Sequence, residues 1–237
     1  MRRRTPGVLS PEEFLDKRLA KFRQYEPKKV IEVLEPFVTD ERRIRLREVI
    51  ARRLSSVTVV FDAPYDPHNG AAVIRSCEAF GVQTLHVIER SRVKFLAATS
   101  VARGAERWLN IVRYTEPGDA ASAVREAGFE LIAADPEGQL EPEDLQSMGK
   151  IALVLGNERD GIREEMMAAC SRTVRVPMRG FVESLNVSVT AAILLHAATQ
   201  KRAGDLDPSM QTELLARGLY FTVARADDIL SCAASAG

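Results

Sequence analysis

Cysteine is scarce in this chain, and its three copies, Cys77, Cys170 and Cys232, are odd in number and widely spaced. They suggest neither a disulfide framework nor a zinc-ligand pattern, so the sequence points to reduced thiols and to no bound metal. Long apolar runs are missing as well. No stretch approaches the roughly 20 residues of a bilayer span, and the leading Arg2, Arg3 and Arg4 are not followed by an apolar segment, which predicts a cytoplasmic protein without a membrane partner. Internal repeats and low-complexity segments are absent too. What is present, 46% hydrophobic residues in a length of 237, suffices for one sizeable domain with a modest extension.

Net charge is zero, with 33 basic and 33 acidic residues, but the distribution is uneven. Residues 1–54 carry fifteen Lys/Arg against nine Asp/Glu, which leaves eighteen against twenty-four for the remainder. A positive front end is either a solvated helix surface or the footprint of a polyanion binder, because phosphate contacts are made by Lys and Arg. The spacing predicts helices over 10–24 and 27–36, then a third over 39–54 in which Ile44, Val49, Ile50 and Leu54 share a stripe and arginines cover the other faces.

From Val57 the pattern alternates. Strands are expected at 57–61, 83–88, 108–114, 129–134, 151–155 and 174–176, and helices at 69–80, 117–127, 141–148, 163–169 and from Ser184 onward. This alternation predicts an α/β domain with a mainly parallel sheet, whose active residues cluster beyond the strands' carboxyl ends. The expected division is 1–55 as a basic helical extension, 56–201 as the α/β domain and 202–237 as a C-terminal helical extension. The last of these should contain helices near 209–217 and 219–231, packed on the core or on a second subunit.

Three strand-to-helix junctions carry unusual residues. In the first, Asn69 is either a helix cap or a site residue, and Arg75, two turns later between Ala71 and Ala79, is either a surface ion-pair partner or a group with room for a bulky ligand. The second is Leu155-Gly156-Asn157-Glu158-Arg159-Asp160-Gly161, where Gly156 permits close backbone approach and Glu158 could orient an amide or hydroxyl. The third runs from Val174 through Pro177, Met178, Gly180 and Ser184 to Leu185, Asn186, Val187 and Ser188. Capping accounts for Ser184 but not for Ser184, Asn186 and Ser188 together.

In that order, Asn-x5-Arg, Gly-Asn-Glu-x2-Gly and Pro-Met-x-Gly-x3-Ser-Leu-Asn-Val-Ser resemble the three motifs of the SpoU/TrmH branch of the SPOUT RNA methyltransferases, over roughly residues 40–201. The Arg-rich helix before the first strand and Gly104-Ala105-Glu106-Arg107-Trp108 are similar to the tRNA (guanosine-18) ribose methyltransferases in particular. The resemblance implies a trefoil-knotted α/β fold and a homodimer whose sites are completed by the partner subunit. It also implies S-adenosylmethionine as methyl donor, held at Ala134, Leu155, Gly156, Val176, Pro177, Met178, Leu185 and Asn186.

The reaction implied is methylation of a ribose 2′-hydroxyl in tRNA at guanosine 18, with RNA rather than DNA as partner. The resemblance implies that Arg75 activates the hydroxyl as base or electrostatic stabiliser, and that Asn69, Glu158, Ser184 and Asn186 organise the site. Arg42, Arg43, Arg45, Arg52 and Arg53 are expected to bind tRNA, with Arg103 and Arg107 nearer the reacting centre. Methylation of ribosomal RNA is an alternative, since sister groups share the motifs. A catalytically dead RNA-binding or assembly factor is another, disfavoured because a binder needs no such constellation. A dinucleotide-dependent dehydrogenase is excluded, because no Gly-x-Gly-x-x-Gly follows a strand.

Overall fold

The structure, a computed structural model, describes residues 11–89, 104–157 and 159–235. Residues 52–205 form one compact unit around a six-stranded sheet in the order β3-β2-β1-β5-β4-β6, with every pairing parallel. The strands are β1 (Val57–Asp62), β2 (Thr84–Ile88), β3 (Asn110–Tyr114), β4 (Glu130–Ala134), β5 (Ile151–Leu155) and β6 (Arg172–Val174). β1 and β5 lie side by side at the centre, register Val57 to Ile151 through Phe61 to Leu155, and every residue of both is buried. Their largely apolar runs, interrupted in β1 by Thr58 and Asp62, are what a strand covered on both faces requires.

Alternation along these strands builds two apolar layers. Val59, Phe61, Leu153 and Leu155 face one way, into a cluster with Ile74 and Cys77 of α4 (Pro67–Ala79) and Ala191, Leu194 and Leu195 of α7 (Val187–Thr199). Val60, Ala152 and Val154 face the other way, onto Ala120, Ala121 and Val124 of α5 (Pro117–Glu126) and Met166 of α6 (Glu164–Ala169). The chain enters at the centre with β1, moves outward through β2 and β3, and then crosses to build the other half. β5 returns between β1 and β4. The connections after β1 and β5 therefore diverge, and such a point is where open α/β sheets take ligands.

Residues 1–51 and 206–237 cluster as a second compact unit. Its described helices are α1 (Pro11–Phe22), α2 (Pro27–Leu34), α3 (Asp40–Ala51), α8 (Pro208–Thr222) and α9 (Ala226–Ser235). The C-terminal tail, expected on the core or on a second subunit, instead packs α8 against α2 and α3, and α9 against α2. At its centre is the fully buried Tyr220, whose hydroxyl donates to Asp227 Oδ1 at 2.8 Å; the Tyr25 hydroxyl donates to the same oxygen at 3.3 Å. The break expected at Gly218 does not occur. Leu214–Tyr220 is a continuous buried run inside α8, and tertiary packing outweighs the weak helix propensity of one glycine.

Other boundaries shift for identifiable reasons. Asp66, not Asn69, caps α4: its extended backbone precedes Pro67 at the first helical position, and its carboxylate accepts from His68 N–H at 2.8 Å. Asn186, not Ser184, caps α7. β6 ends at Val174 rather than Val176, and residues 142–146 form a 3-10 turn where an α-helix over 141–148 was expected.

Candidate active site

A cleft of ≈ 490 Å³ opens beyond the carboxyl ends of β4, β5 and β6, where Ala134, Leu155 and Val174 form its floor. One wall is the turn after β5. Asn157 and Gly161 exchange backbone hydrogen bonds at 3.0 and 3.1 Å, and Asn157 Oδ1 accepts from the N–H groups of Arg159 and Asp160, each at 2.9 Å. This folds the turn back onto Gly156, where any Cβ would collide with the backbone of Gly161 and Ile162. Glycine at 156 is thus fixed by the shape of the wall.

The opposite wall is the irregular segment 175–186, which contributes Val176, Met178, Glu183, Ser184, Leu185 and Asn186. Among the described residues, positions 176–185 make no backbone-to-backbone hydrogen bond. Backbone groups without a backbone partner among the described residues therefore lie beside the aliphatic side chains of this wall. Of the eight residues expected to hold a cofactor, Ala134, Leu155, Gly156, Val176, Met178, Leu185 and Asn186 line this one cleft; Pro177 is exposed and does not.

The first and third junctions meet at a hydrogen bond. Asn186 Nδ2 donates to Asn69 Oδ1 at 3.1 Å, while Asn186 Oδ1 accepts from Ser188 N–H at 2.8 Å and from the Ser188 hydroxyl at 2.6 Å. One amide thus caps α7 with its oxygen and anchors the start of α4 with its nitrogen. Arg75, on the exposed side of α4, makes no hydrogen bond or ion pair among the described residues. Ser184 is exposed on the cleft wall, and Glu158 lies outside the described residues.

Two groups that the sequence reading passed over shape the site. Asp62, fully buried at the end of β1, accepts from Arg163 N–H and Nε, each at 2.8 Å, and pairs with its Nη2 at 2.5 Å. This tie holds the loops after β1 and β5 together, where a buried carboxylate needs such compensation. A charged residue at the end of a largely apolar strand was its only signal. Asp135 and Thr190 also reach the cleft, from positions that read as ordinary loop and helix residues, as does Asn157 of the second junction.

The expected RNA-binding arginines divide. Arg42, Arg43 and Arg45 lie on α3; Arg43 pairs with Asp40 at 2.8 Å and Arg45 with Glu48 at 3.8 Å, while Arg42 reaches Thr222 Oγ1 at 3.4 Å. Arg52 is exposed, and so is Arg107, on a 3-10 turn (Ala105–Arg107) packed against α4. Arg103 lies outside the described residues. Arg53 is a correction: it is 2% exposed, donates to the Val82 carbonyl at 3.0 Å and to Gln83 Oε1 at 2.5 Å, and cannot reach a phosphate. Burial lowers its pKa, opposed by the nearby Glu78 carboxylate.

A parallel sheet with a loop-lined cleft beyond its carboxyl ends is the build of an α/β enzyme that binds a nucleotide-like ligand. The sequence pattern of the SpoU rRNA Methylase family matches residues 56–196, and the chain belongs to that family. A tRNA (guanosine(18)-2'-O)-methyltransferase of Thermus thermophilus is 33% identical over 187 residues, covering 75% of this chain and 95% of its own. One of Borreliella burgdorferi is 31% identical over 171 residues, covering 71% and 78%. Among solved structures, the A. aeolicus TrmH/SpoU tRNA modifying enzyme superposes with TM-score 0.70 at 26% identity, over 78% of this chain and 98% of its own. A SpoU methyltransferase from Streptomyces viridochromogenes in complex with the cofactor AdoMet gives 0.52 at 29% identity, over 65% and 60%.

Proposed function

We propose that this chain methylates the ribose 2′-hydroxyl of guanosine 18 in tRNA, using S-adenosylmethionine, as a cytoplasmic homodimer. The observation that carries the reading is the Asn186–Asn69 hydrogen bond, which brings the helix bearing Arg75 to the rim of the cleft. The names of the relatives above supply the substrate class. The reading includes a trefoil knot. It is supported by the loop after β4, where Gly138 presses on the backbone of Val174 and Arg175 and Leu140 bridges to Val174, and by α7 packing on the 142–146 turn. Phe181, Val182 and Val189, apolar and exposed beside the cleft, supply a surface for a second copy.

The residues present fit the cofactor. Leu155, Val176, Met178 and Leu185 offer an apolar lining to an adenosine, and the backbone of 176–185 offers donors and acceptors to the edge of a purine. When bound, S-adenosylmethionine supplies a methyl group activated by a positively charged sulfur. Its transfer to the ribose oxygen would release the demethylated sulfide, and the hydroxyl proton would leave to an RNA phosphate or to solvent.

Arg75 organises the oxygen side of this exchange. A guanidinium with a pKa above about 12 scarcely deprotonates, so its contribution is to hold the hydroxyl and stabilise the charge developing on oxygen. Its five N–H groups are not committed to any described residue, which leaves the fork available to ribose and phosphate. Asn69, held by Asn186, fixes the start of the helix that presents it, and Glu158 and Ser184 complete the organising set. Arg42, Arg43, Arg45, Arg52, Arg103 and Arg107 grip the RNA backbone; Arg53 is removed from that set by its burial.

The test is methyl transfer from labelled S-adenosylmethionine to whole tRNA and to ribosomal RNA, with the modified nucleotide mapped. Label at the 2′-oxygen of tRNA guanosine 18 is expected. Label confined to ribosomal RNA would transfer the activity to that substrate, and failure to bind the cofactor in calorimetry would leave an RNA-binding factor.

A further inference from the structure

Two loops flank the cleft, beyond β1 and beyond β5, and each carries one residue that the chemistry above leaves unused. Tyr65 lies four positions before Asn69 and keeps 51% of its surface open to solvent. Arg159 lies two positions past Asn157 of the cleft wall and is also exposed. Its guanidinium carbon sits 3.8 Å from the centroid of the Tyr65 ring. The backbone beneath it is pinned, because Arg159 N–H donates to Asn157 Oδ1. The stack therefore spans the same two loops that Asp62 and Arg163 tie together below.

A cation–π pair open to water adds little to folding, and neither residue belongs to the two apolar clusters of the sheet. A planar aromatic ring at the rim of a site is, however, the surface on which unpaired bases stack, with arginine extending the platform and adding charge near the backbone. The cleft offers no such ring itself: its described lining is aliphatic, small or polar. A ribose delivered to Asn69 and Arg75 must bring its base along, and that base is apolar on both faces.

We propose that Tyr65, backed by Arg159, is the platform on which a nucleobase at or beside the methylated nucleotide stacks. The inference rests on the RNA 2′-hydroxyl reading above. Arg159 lays its guanidinium against one face of the Tyr65 ring, which brings a cation within reach of a neighbouring phosphate. Stacking is tolerant of base identity. The platform therefore fixes where the nucleotide sits, and the choice of guanosine is made by other groups.

Tyr65→Ala, Tyr65→Phe, Tyr65→Trp and Arg159→Ala, measured beside the wild type with a tRNA transcript, test this. Tyr65→Ala should weaken tRNA binding and raise KM about tenfold, the order that base–aromatic stacking supplies, while leaving cofactor affinity unchanged. Tyr65→Phe should behave as wild type, and Arg159→Ala should lose about threefold. In Tyr65→Trp, tRNA should quench indole fluorescence beyond the signal of the native Trp108 in the wild type.

Tyr65→Ala that binds tRNA as tightly as wild type overturns the platform, whether or not the protein methylates. If Tyr65→Ala proves unfolded, an unquenched Tyr65→Trp overturns it instead. Weakened binding in Tyr65→Ala together with a wild type that methylates no RNA would keep the platform and discard the activity. A wild type that binds no tRNA removes both.

Discussion

The two ends of the central sheet use arginine in different proportions, as ties between loops and as exposed side chains. At the amino ends of the strands, Arg202 donates to the carbonyls of Ala198, Gly149 and Met148 at 2.7–2.8 Å and reaches that of Leu145 at 3.3 Å, while Arg53 is spent on Val82 and Gln83. Burial lowers the pKa of Arg202, with Asp205 working against that. At the carboxyl ends, Arg75 has no partner among the described residues, Arg159 rests on an exposed ring, and residues 176–185 make no backbone-to-backbone hydrogen bond to a described residue. The amino end consumes both of these arginines in holding loops together; at the carboxyl end Arg163 is spent in that way on Asp62, while Arg75 and Arg159 stay exposed. A count of charges along the chain cannot separate the two uses, because the side chain is the same.

The largest effect should come from breaking the open end. Arg75→Ala should lower kcat by a factor on the order of 10²–10³, as expected for losing a group that stabilises developing charge, and leave the thermal midpoint unchanged because the side chain is exposed. Arg75→Lys should be nearly as inactive, since an ammonium cannot reproduce the planar fork. A variant with wild-type turnover would erase the distinction between the ends. At the closed end the signature should invert: Arg202→Met strips donors from four carbonyls and should cost about 2–4 kcal/mol in urea unfolding, with the cofactor site otherwise intact.

The smallest effect concerns Asp205. Burial would raise its carboxyl pKa, but hydrogen bonds from Ser56 and Ser55 hold it below the ordinary value. A carboxylate depressed in the folded state adds stability that is present above its unfolded pKa, about 3.9, and lost as pH falls through the lower folded value. Asp205→Asn should therefore flatten the acid limb of the stability profile below about pH 4 and leave neutral-pH methyl transfer alone. An unchanged acid limb would remove Asp205 from the closed end's account.

Much of the fold was legible because it rests on local pattern. The apolar runs of β1 and β5 and the glycines ending α4 and α5, Gly81 and Gly128, both with positive φ, mark their elements without tertiary information. Caps were less legible. Asp66 and Asn69 are both good capping residues, and only the extended backbone that Pro67 imposes on Asp66 decides between them. Arg53 was misplaced because it follows an exposed arginine at the end of a basic helix, and its burial depends on Gly81–Gln83 folding back against it. The cleft residues were recovered through motif order, whereas Asp62–Arg163 joins positions 101 residues apart and left no local trace.

The double duty of Asn186 narrows what this position can tolerate. Serine, threonine, aspartate and asparagine are close to interchangeable as caps. Here the cap must also offer an N–H to Asn69, and among those four only asparagine carries an amide donor beside its acceptor. An aspartate would start α7 equally well, yet it would set a carboxylate oxygen against the Asn69 carbonyl oxygen. Helix initiation and the joint between the starts of α7 and α4 are thus a single structural event, so a fold rescued by another capping residue would lose that joint.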